Sequence, residues 1–372
     1  LCILTLFSVT LAVTFLMREF AYPRSVLILG SIFQVTSITI WHWATNIMYR
    51  RENRKKTILI VGKENAKTLA YKLIESNNMW SSIKHICKPS NPRIKEYIED
   101  CDLTFLTEDI DENEKQDIVR YCVELDKQVL YEPRNTEILL FNASITQVDD
   151  TPLLSVRPLG LRSANESTKR VMDVIVASLG LIVFIIPSAI VYLCLKISGG
   201  TAFFVQERVT RGGKIFKIYK FRTMIENAEA QSGPMLAQNN DNRITRFGRF
   251  LRATRLDETP QIFNILKGDM SIVGPRPERP FFVEQFKQEI PEYELRHRVK
   301  AGLTGLAQIQ GKYNTTVRDK LKYDLLYING YSLALDIKLI MQTLNILLRK
   351  SSTEGVKEAK DIESVIEELY RD

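Results

Sequence analysis

Val174-Ile175-Val176-Ala177-Ser178-Leu179-Gly180-Leu181-Ile182-Val183-Phe184-Ile185-Ile186-Pro187-Ser188-Ala189-Ile190-Val191-Tyr192-Leu193-Cys194-Leu195 carries no charge from end to end. A helix needs about 20 apolar residues to cross a bilayer, and this run is of that length. Lys169 and Arg170 precede it, and Lys196, Arg208, Arg211 and Lys214 follow it. Basic flanks mark the cytoplasmic side, so both ends read as cytoplasmic. Pro187 removes a helix hydrogen bond near the middle and forces a bend. A helix-break-helix over residues 174–196, dipping into one leaflet and returning, satisfies both observations. A straight spanning helix kinked at the proline is the alternative, since bilayer helices tolerate proline.

Upstream, residues 1–16 and 25–48 are two more apolar stretches, and residues 1–50 read as transmembrane helices. The chain begins on Leu1 with an apolar run under way, so its N-terminus reads as cut. A signal peptide is disfavoured: no basic segment precedes the run and no small-residue cleavage site follows. Trp41 and Trp43 suit an interfacial belt, and Arg50, Arg51, Arg54, Lys55 and Lys56 place that end in the cytoplasm. Residues 57–150 then alternate between strand and helix patterns. Strands are expected at 57–62, 103–106 and 128–131, and helices at 66–74, 94–99 and 114–125. This predicts a small Rossmann-like sheet. Its phosphate fingerprint is missing, because Gly62-Lys63-Glu64-Asn65-Ala66 keeps one glycine where three are needed. A structural or regulatory role is the better reading. Residues 151–167, with Pro152, Pro158 and Gly160, read as a linker. Residues 351–372 read as a helical tail packing through Ile362, Val365, Ile366 and Leu369.

The 372 residues carry a net charge of +7. That balance suits anionic headgroups or nucleotide phosphates. Nucleic acid is not expected, since no zinc pattern, aromatic RNA-binding signature or basic region feeding heptads occurs. The five cysteines are scattered without a CxxC pair, and His42, His85 and His297 are isolated. Neither a disulfide frame nor a His-built metal site follows, and a reducing, cytosol-facing location is the simplest account.

Downstream, Phe216-Lys217-Ile218-Tyr219-Lys220-Phe221-Arg222 alternates apolar and basic residues as a half-buried strand would. Arg243, Arg246, Arg249, Arg252 and Arg255 follow at a spacing of three. On a helix that spacing spreads charge around the axis, so some should face headgroups and others a site. A solvated basic face is the plain alternative for any one of them. As a set they suit phosphate, whose oxygens guanidinium groups grip in bidentate fashion. Asp257 and Glu258 come next, just before Pro260, which looks like a first-turn helix proline. The helix should run through Ile262, Phe263, Ile265 and Leu266 and stop at Gly268. An aspartate there is ordinarily a cap. Two adjacent carboxylates exceed that need, and beside so many arginines Asp257 should stay ionised, as a nucleophile or Mg²⁺ ligand must.

The runs Lys169-Arg170-x-x-Asp173, Gln206-x-Arg208, residues 217–224, Leu256-Asp257-Glu258-x-Pro260-Gln261-x-x-Asn264, residues 267–277 and Gly302-x-Thr304-Gly305-x-Ala307-Gln308 together resemble the bacterial sugar transferase family. These are the monotopic phosphoglycosyl transferases, or polyprenyl glycosylphosphotransferases, and the resemblance covers residues 168–350. The upstream part is similar to the long subclass, which usually carries four N-terminal helices where two are seen here.

The resemblance implies an α/β membrane protein. It would combine N-terminal transmembrane helices, a degenerate Rossmann-like domain, a re-entrant helix and a mainly helical cytoplasmic catalytic domain at the bacterial inner membrane. It further implies transfer of a sugar-1-phosphate, as a hexose-1-phosphate, from a UDP-sugar to undecaprenyl phosphate, releasing UMP. That is a first membrane step of exopolysaccharide, capsule or O-antigen synthesis. On the matched positions, Asp257 becomes the nucleophile and a Mg²⁺ ligand, and Glu258 its acid-base partner. Arg208, Lys220, Arg222, Arg252, Arg255, Arg276 and Gln308 become substrate-binding residues. Asp336 matches a further family carboxylate. Where the family's break reads Ser-Pro, here Pro187 precedes Ser188. A homodimer embedded among membrane lipids is the expected assembly.

Two other classes compete. A membrane-anchored nucleotide-sugar dehydratase or epimerase needs an intact glycine fingerprint and a Tyr-x-x-x-Lys pair, whose match, Tyr192 to Lys196, falls in the apolar run. A non-catalytic scaffold of a polysaccharide complex would not need the Asp-Glu pair.

Overall fold

The computed structural model describes residues 24–52, 56–75, 81–156, 158–161, 163–225, 243–312 and 315–348. The first apolar run and the C-terminal tail therefore lie outside the described residues. The chain divides after Glu132 into two compact units.

In the first unit, the second apolar stretch forms one helix, α1 (Arg24–Glu52). Within it the hydroxyls of Thr36, Thr39 and Thr45 donate to the carbonyls of Ile32, Val35 and Trp41, at 2.9, 2.6 and 2.8 Å. Such internal satisfaction suits surroundings without water. Trp41 and Trp43 are exposed.

β1 (Lys56–Val61) is apolar on both faces because both faces are covered. Ile58 and Ile60 pack with Ala66 and Ala70 of α2 (Asn65–Glu75). Leu59 and Val61 pack with Ile98 of α3 (Ile94–Asp100) and with Ile118 and Cys122 of α4 (Glu112–Glu124). With β2 (Ser81–Cys87), β3 (Leu103–Leu106) and β4 (Gln128–Tyr131) it forms a fully parallel sheet of order β2-β1-β3-β4. β2 escaped the sequence reading because it is an edge strand whose Lys84 and His85 break any apolar run.

The glycine turn after β1 is self-filled. Asp109 accepts from the backbone N–H groups of Lys63 and Asn65 at 3.3 and 2.9 Å, and from the Thr107 hydroxyl. The α2 N-terminus, the usual seat of a nucleotide phosphate, thus holds the chain's own carboxylate. Gly62 serves packing, since a Cβ there would lie 2.1 Å from Thr107 Oγ1.

The second unit begins at Pro133, so residues 133–150, assigned from sequence to the upstream domain, pack here instead. Ile138 of α5 (Asn135–Leu140) joins a core with Leu321 and Leu325 of α11 (Val317–Asn329). Asn329 and Asn142 tie the two segments by hydrogen bonds of 2.6 Å. Nor is 151–167 a plain linker. β5 (Ser144–Val148) and β6 (Thr151–Ser155) form an antiparallel hairpin, which Pro152 and exposed side chains concealed in the sequence.

α6 (Ser163–Ile197) starts well before residue 174 and is a single helix with Pro187 inside it, where the sequence suggested two helices and a break. Among the described residues it is the one helix long and apolar enough to cross a membrane. Its attachments run along its length. Lys169 pairs with Asp336 at 2.6 Å, and Arg170 donates to the carbonyls of Ile265 and Leu266, both at 2.6 Å. Asp173 accepts from Ser271 Oγ and Ile272 N, both at 2.9 Å. Farther on, Ser188 and Thr259 hydroxyls meet at 3.0 Å, and Val191 and Leu195 pack with Phe221 and Leu251. The opposite side of α6, including Leu179, Ile182, Ile186, Ile190 and Leu193, is bare of protein.

The remaining elements complete this unit. β7 (Phe203–Val209) and β8 (Ile215–Phe221) form an antiparallel hairpin, and β9 (Met270–Val273) and β10 (Ala301–Thr304) a parallel pair. The helices are α7 (Arg246–Thr254), α8 (Gln261–Lys267), α9 (Pro280–Glu289), α10 (Leu306–Gln310), α11 and α12 (Leu333–Leu348).

Candidate active site

Leu251, fully buried, anchors α7, and the helix ends where Arg255 takes a left-handed φ of 58°. A non-glycine residue there is strained. The turn throws Leu256–Glu258 into one 3₁₀ turn, followed by α8 from Gln261. α8 stops at Gly268, whose φ of 97° suits glycine, in agreement with the sequence reading. The capping role does not hold for Asp257: the residue flanking α8 is Pro260, and no side chain caps it.

Asn264 of α8 grips β8 on both sides, donating to Lys217 O at 2.7 Å and accepting from Tyr219 N at 3.1 Å. This delivers Lys220 to the dyad. Its Nζ lies 3.2 Å from Glu258 Oε1, and Arg276 Nη2 approaches the same oxygen at 3.5 Å. In the sequence Asn264 stands out only as part of a motif; its complete burial is the signal in the structure.

Asp257 is buried, and its Oδ1 has no hydrogen-bond partner. The sequence suggested arginines would hold its pKa down. Instead burial, then the neighbouring Glu258 charge, raises it, against the pull of Lys220, Arg252 and Arg255. Glu258 moves the other way. Burial opposes its ionisation, but Lys220, Arg276 and Arg255 together outweigh burial and hold it at about 2. Burial in turn presses Lys220 downward, and Glu258 opposes that. Two adjacent carboxyls are thereby pushed apart: one permanently charged and paired, the other more basic and open. That is the division of labour of a nucleophile or base beside an orienting anion.

Of the expected binding residues, Lys220, Arg252, Arg255 and Arg276 surround the dyad electrostatically. Arg252 is steadied by Thr223, at 3.0 Å. Arg208 stands behind the Pro275-Arg276-Pro277 turn, donating to Pro277 O at 3.0 Å. Arg222 donates to the Gly199 carbonyl, and Gln308 to Leu303 O at 3.1 Å, so both hold backbone in this structure. Asp336 is fully buried between Lys169 and the Tyr327 hydroxyl, at 2.6 and 2.8 Å, which makes it a strut between α6, α11 and α12.

No cluster of three or more His, Cys, Asp or Glu suited to a metal occurs among the described residues. Mg²⁺ at a nucleotide commonly takes one or two carboxylates plus the substrate's own phosphates, and the unpartnered Oδ1 of Asp257 fits that demand.

Known proteins are similar to this chain in sequence. A UDP-N-acetylgalactosamine-undecaprenyl-phosphate N-acetylgalactosaminephosphotransferase of Aeromonas hydrophila is 42% identical over 184 residues, 48% of this chain and 43% of its own. A UDP-glucose:undecaprenyl-phosphate glucose-1-phosphate transferase of Klebsiella pneumoniae is 38% identical over 240 residues, 63% of this chain and 51% of its own. One of the same description from Caulobacter vibrioides is 41% identical over 208 residues, 53% of this chain and 77% of its own. The chain thus spans about half the length of the first two relatives. The family profile described as bacterial sugar transferase matches residues 164–350, from the first turn of α6 past the end of α12, and the chain belongs to that family.

Proposed function

We propose that the chain transfers a sugar-1-phosphate from a UDP-sugar to undecaprenyl phosphate at the cytoplasmic face of the bacterial membrane, releasing UMP. The observation that carries this is the buried, unpartnered Oδ1 of Asp257 beside a Glu258 already held by two cations. A satisfied carboxylate would be structural; this one is left for a ligand or a bond. The activities for which the relatives are named favour the same reading.

Asp257 attacks the β-phosphorus of the donor. The bond from that phosphorus to the bridging oxygen breaks, UMP departs with the oxygen, and an aspartyl phosphosugar remains. A phosphate oxygen of the lipid acceptor then attacks the same phosphorus, and the Asp257 carboxylate is restored. Two displacements avoid bringing two anionic substrates together. Arg252, Arg255, Arg276 and Lys220 stabilise the charge that builds on phosphate oxygens. Mg²⁺, held by Asp257 with the diphosphate, would supply further charge neutralisation.

The lipid acceptor explains α6. One body grips this helix from Lys169 to Leu195, about 40 Å at 1.5 Å per residue. A straight span would carry one end away from a body on one side of the bilayer. A helix held on both sides of its apolar, exposed middle (residues 182–186) supports a shallow insertion with both ends cytoplasmic, and the Ser188–Thr259 contact sets the dyad close to it.

The test is UMP release from UDP-glucose, UDP-galactose and UDP-N-acetylgalactosamine with Mg²⁺ and undecaprenyl phosphate. Release with one sugar, lost in Asp257→Asn, is the expected result and names the donor. No release from folded native protein overturns the reading in favour of a scaffold.

A further inference from the structure

Arg276 is exposed, long and flexible, yet its work depends on pointing at Glu258. The turn that carries it is held by its backbone. Gly302 N donates to Pro275 O at 2.9 Å, and Arg208 to Pro277 O at 3.0 Å. The carbonyl of Arg276 itself accepts from Arg296 Nη2 at 2.9 Å. Arg296 is buried, in the 3₁₀ segment Pro291–Arg298. Its guanidinium pairs with buried Asp324 of α11 at 2.8 Å, donates to the Tyr293 hydroxyl, and stacks 5.0 Å from that ring. Tyr293 holds Nη1 and Asp324 holds Nη2, and the same Nη2 donates to the Arg276 carbonyl, so the anchored guanidinium defines where that carbonyl sits. Two prolines flank that carbonyl and fix φ on either side.

We infer that Arg296, locked by Asp324, is a positioning residue that aims Arg276 at Glu258 through the Arg276 backbone. This deepens the transferase reading and rests on it. A merely structural role would lower stability without coupling to Arg276, so the decisive measurement is a double-mutant cycle on UMP release.

Removing one partner of the buried pair would leave an unpaired charge, so the pair is removed together, as Arg296→Met with Asp324→Leu. Arg296→Lys is the second variant; it keeps the charge against Asp324 but lacks the fork that reaches the Arg276 carbonyl as well. In the native background Arg276→Ala is expected to lower kcat/KM about tenfold or more, mainly through KM. In either Arg296 background kcat/KM starts similarly lowered, and Arg276→Ala costs less than about twofold more. Equal cost of Arg276→Ala in all backgrounds overturns the inference. If the native chain turns over no UDP-sugar, the transferase reading fails by itself. The positioning is then read from amide hydrogen exchange across residues 274–279. Faster exchange in Arg296→Lys sustains the inference, and unchanged exchange overturns it.

Discussion

Asp109 and Asp257 are two aspartates near helix starts in two α/β settings, and they meet opposite fates. Asp109 is wrapped by backbone N–H groups of the α2 turn and by the Thr107 hydroxyl, which hold its carboxyl below the usual range against the effect of burial. Asp257 is more buried, keeps an unpartnered oxygen, and is pushed upward. The first unit thus supplies its own anion where a nucleotide phosphate would sit, and the second withholds partners from the carboxylate proposed as the nucleophile. Between these two aspartates the difference lies in how their hydrogen bonds are satisfied and in the cations gathered around the second.

The sharpest break is Asp257→Asn, expected to cost about a thousandfold or more in UMP release while the melting temperature stays close to native. A variant retaining a tenth of native activity would erase the contrast. Asp336 offers the next test, as a buried carboxylate that is fully paired. Asp336→Leu alone strands Lys169 and should cost about 3–5 kcal/mol in urea unfolding, most of it recovered by adding Lys169→Met.

A subtler effect belongs to Glu258→Gln. In the proposed mechanism Asp257 attacks as the carboxylate, so its raised pKa is expected to shift the acid limb of kcat/KM to higher pH. Removing the neighbouring negative charge moves that limb to lower pH in the residual activity, whereas an unmoved limb would detach it from Asp257. The smallest effect is expected from Asp109→Ala, a loss of about 1 kcal/mol from a missing helix cap, with UMP release unchanged.

The sequence made the parallel strands of the first unit legible, because β1 and β3 are apolar runs covered on both faces. It also made α8 legible, bounded by Pro260 and Gly268. β2 and the β5–β6 hairpin were not, since edge and exposed strands lack the burial that writes a pattern. Asp257, Glu258, Lys220 and Arg276 converge as the motifs suggested. In this structure Arg222 and Gln308 hold backbone and Asp336 a buried ion pair, contacts that a motif alone does not spell out. The pKa order of the dyad was hidden for a similar cause: counting arginines along the chain ignores how burial weighs each carboxyl.

Arg255 turns the chain into the dyad from a backbone conformation that glycine adopts freely. Exchange for glycine would relieve that strain and remove a cation next to both carboxyls, so durability and chemistry pull this position in opposite directions. In a descendant relieved of its catalytic duty, glycine would be the residue to drift in first. A glycine here beside an intact Asp-Glu pair would be the mark of an enzyme in retirement.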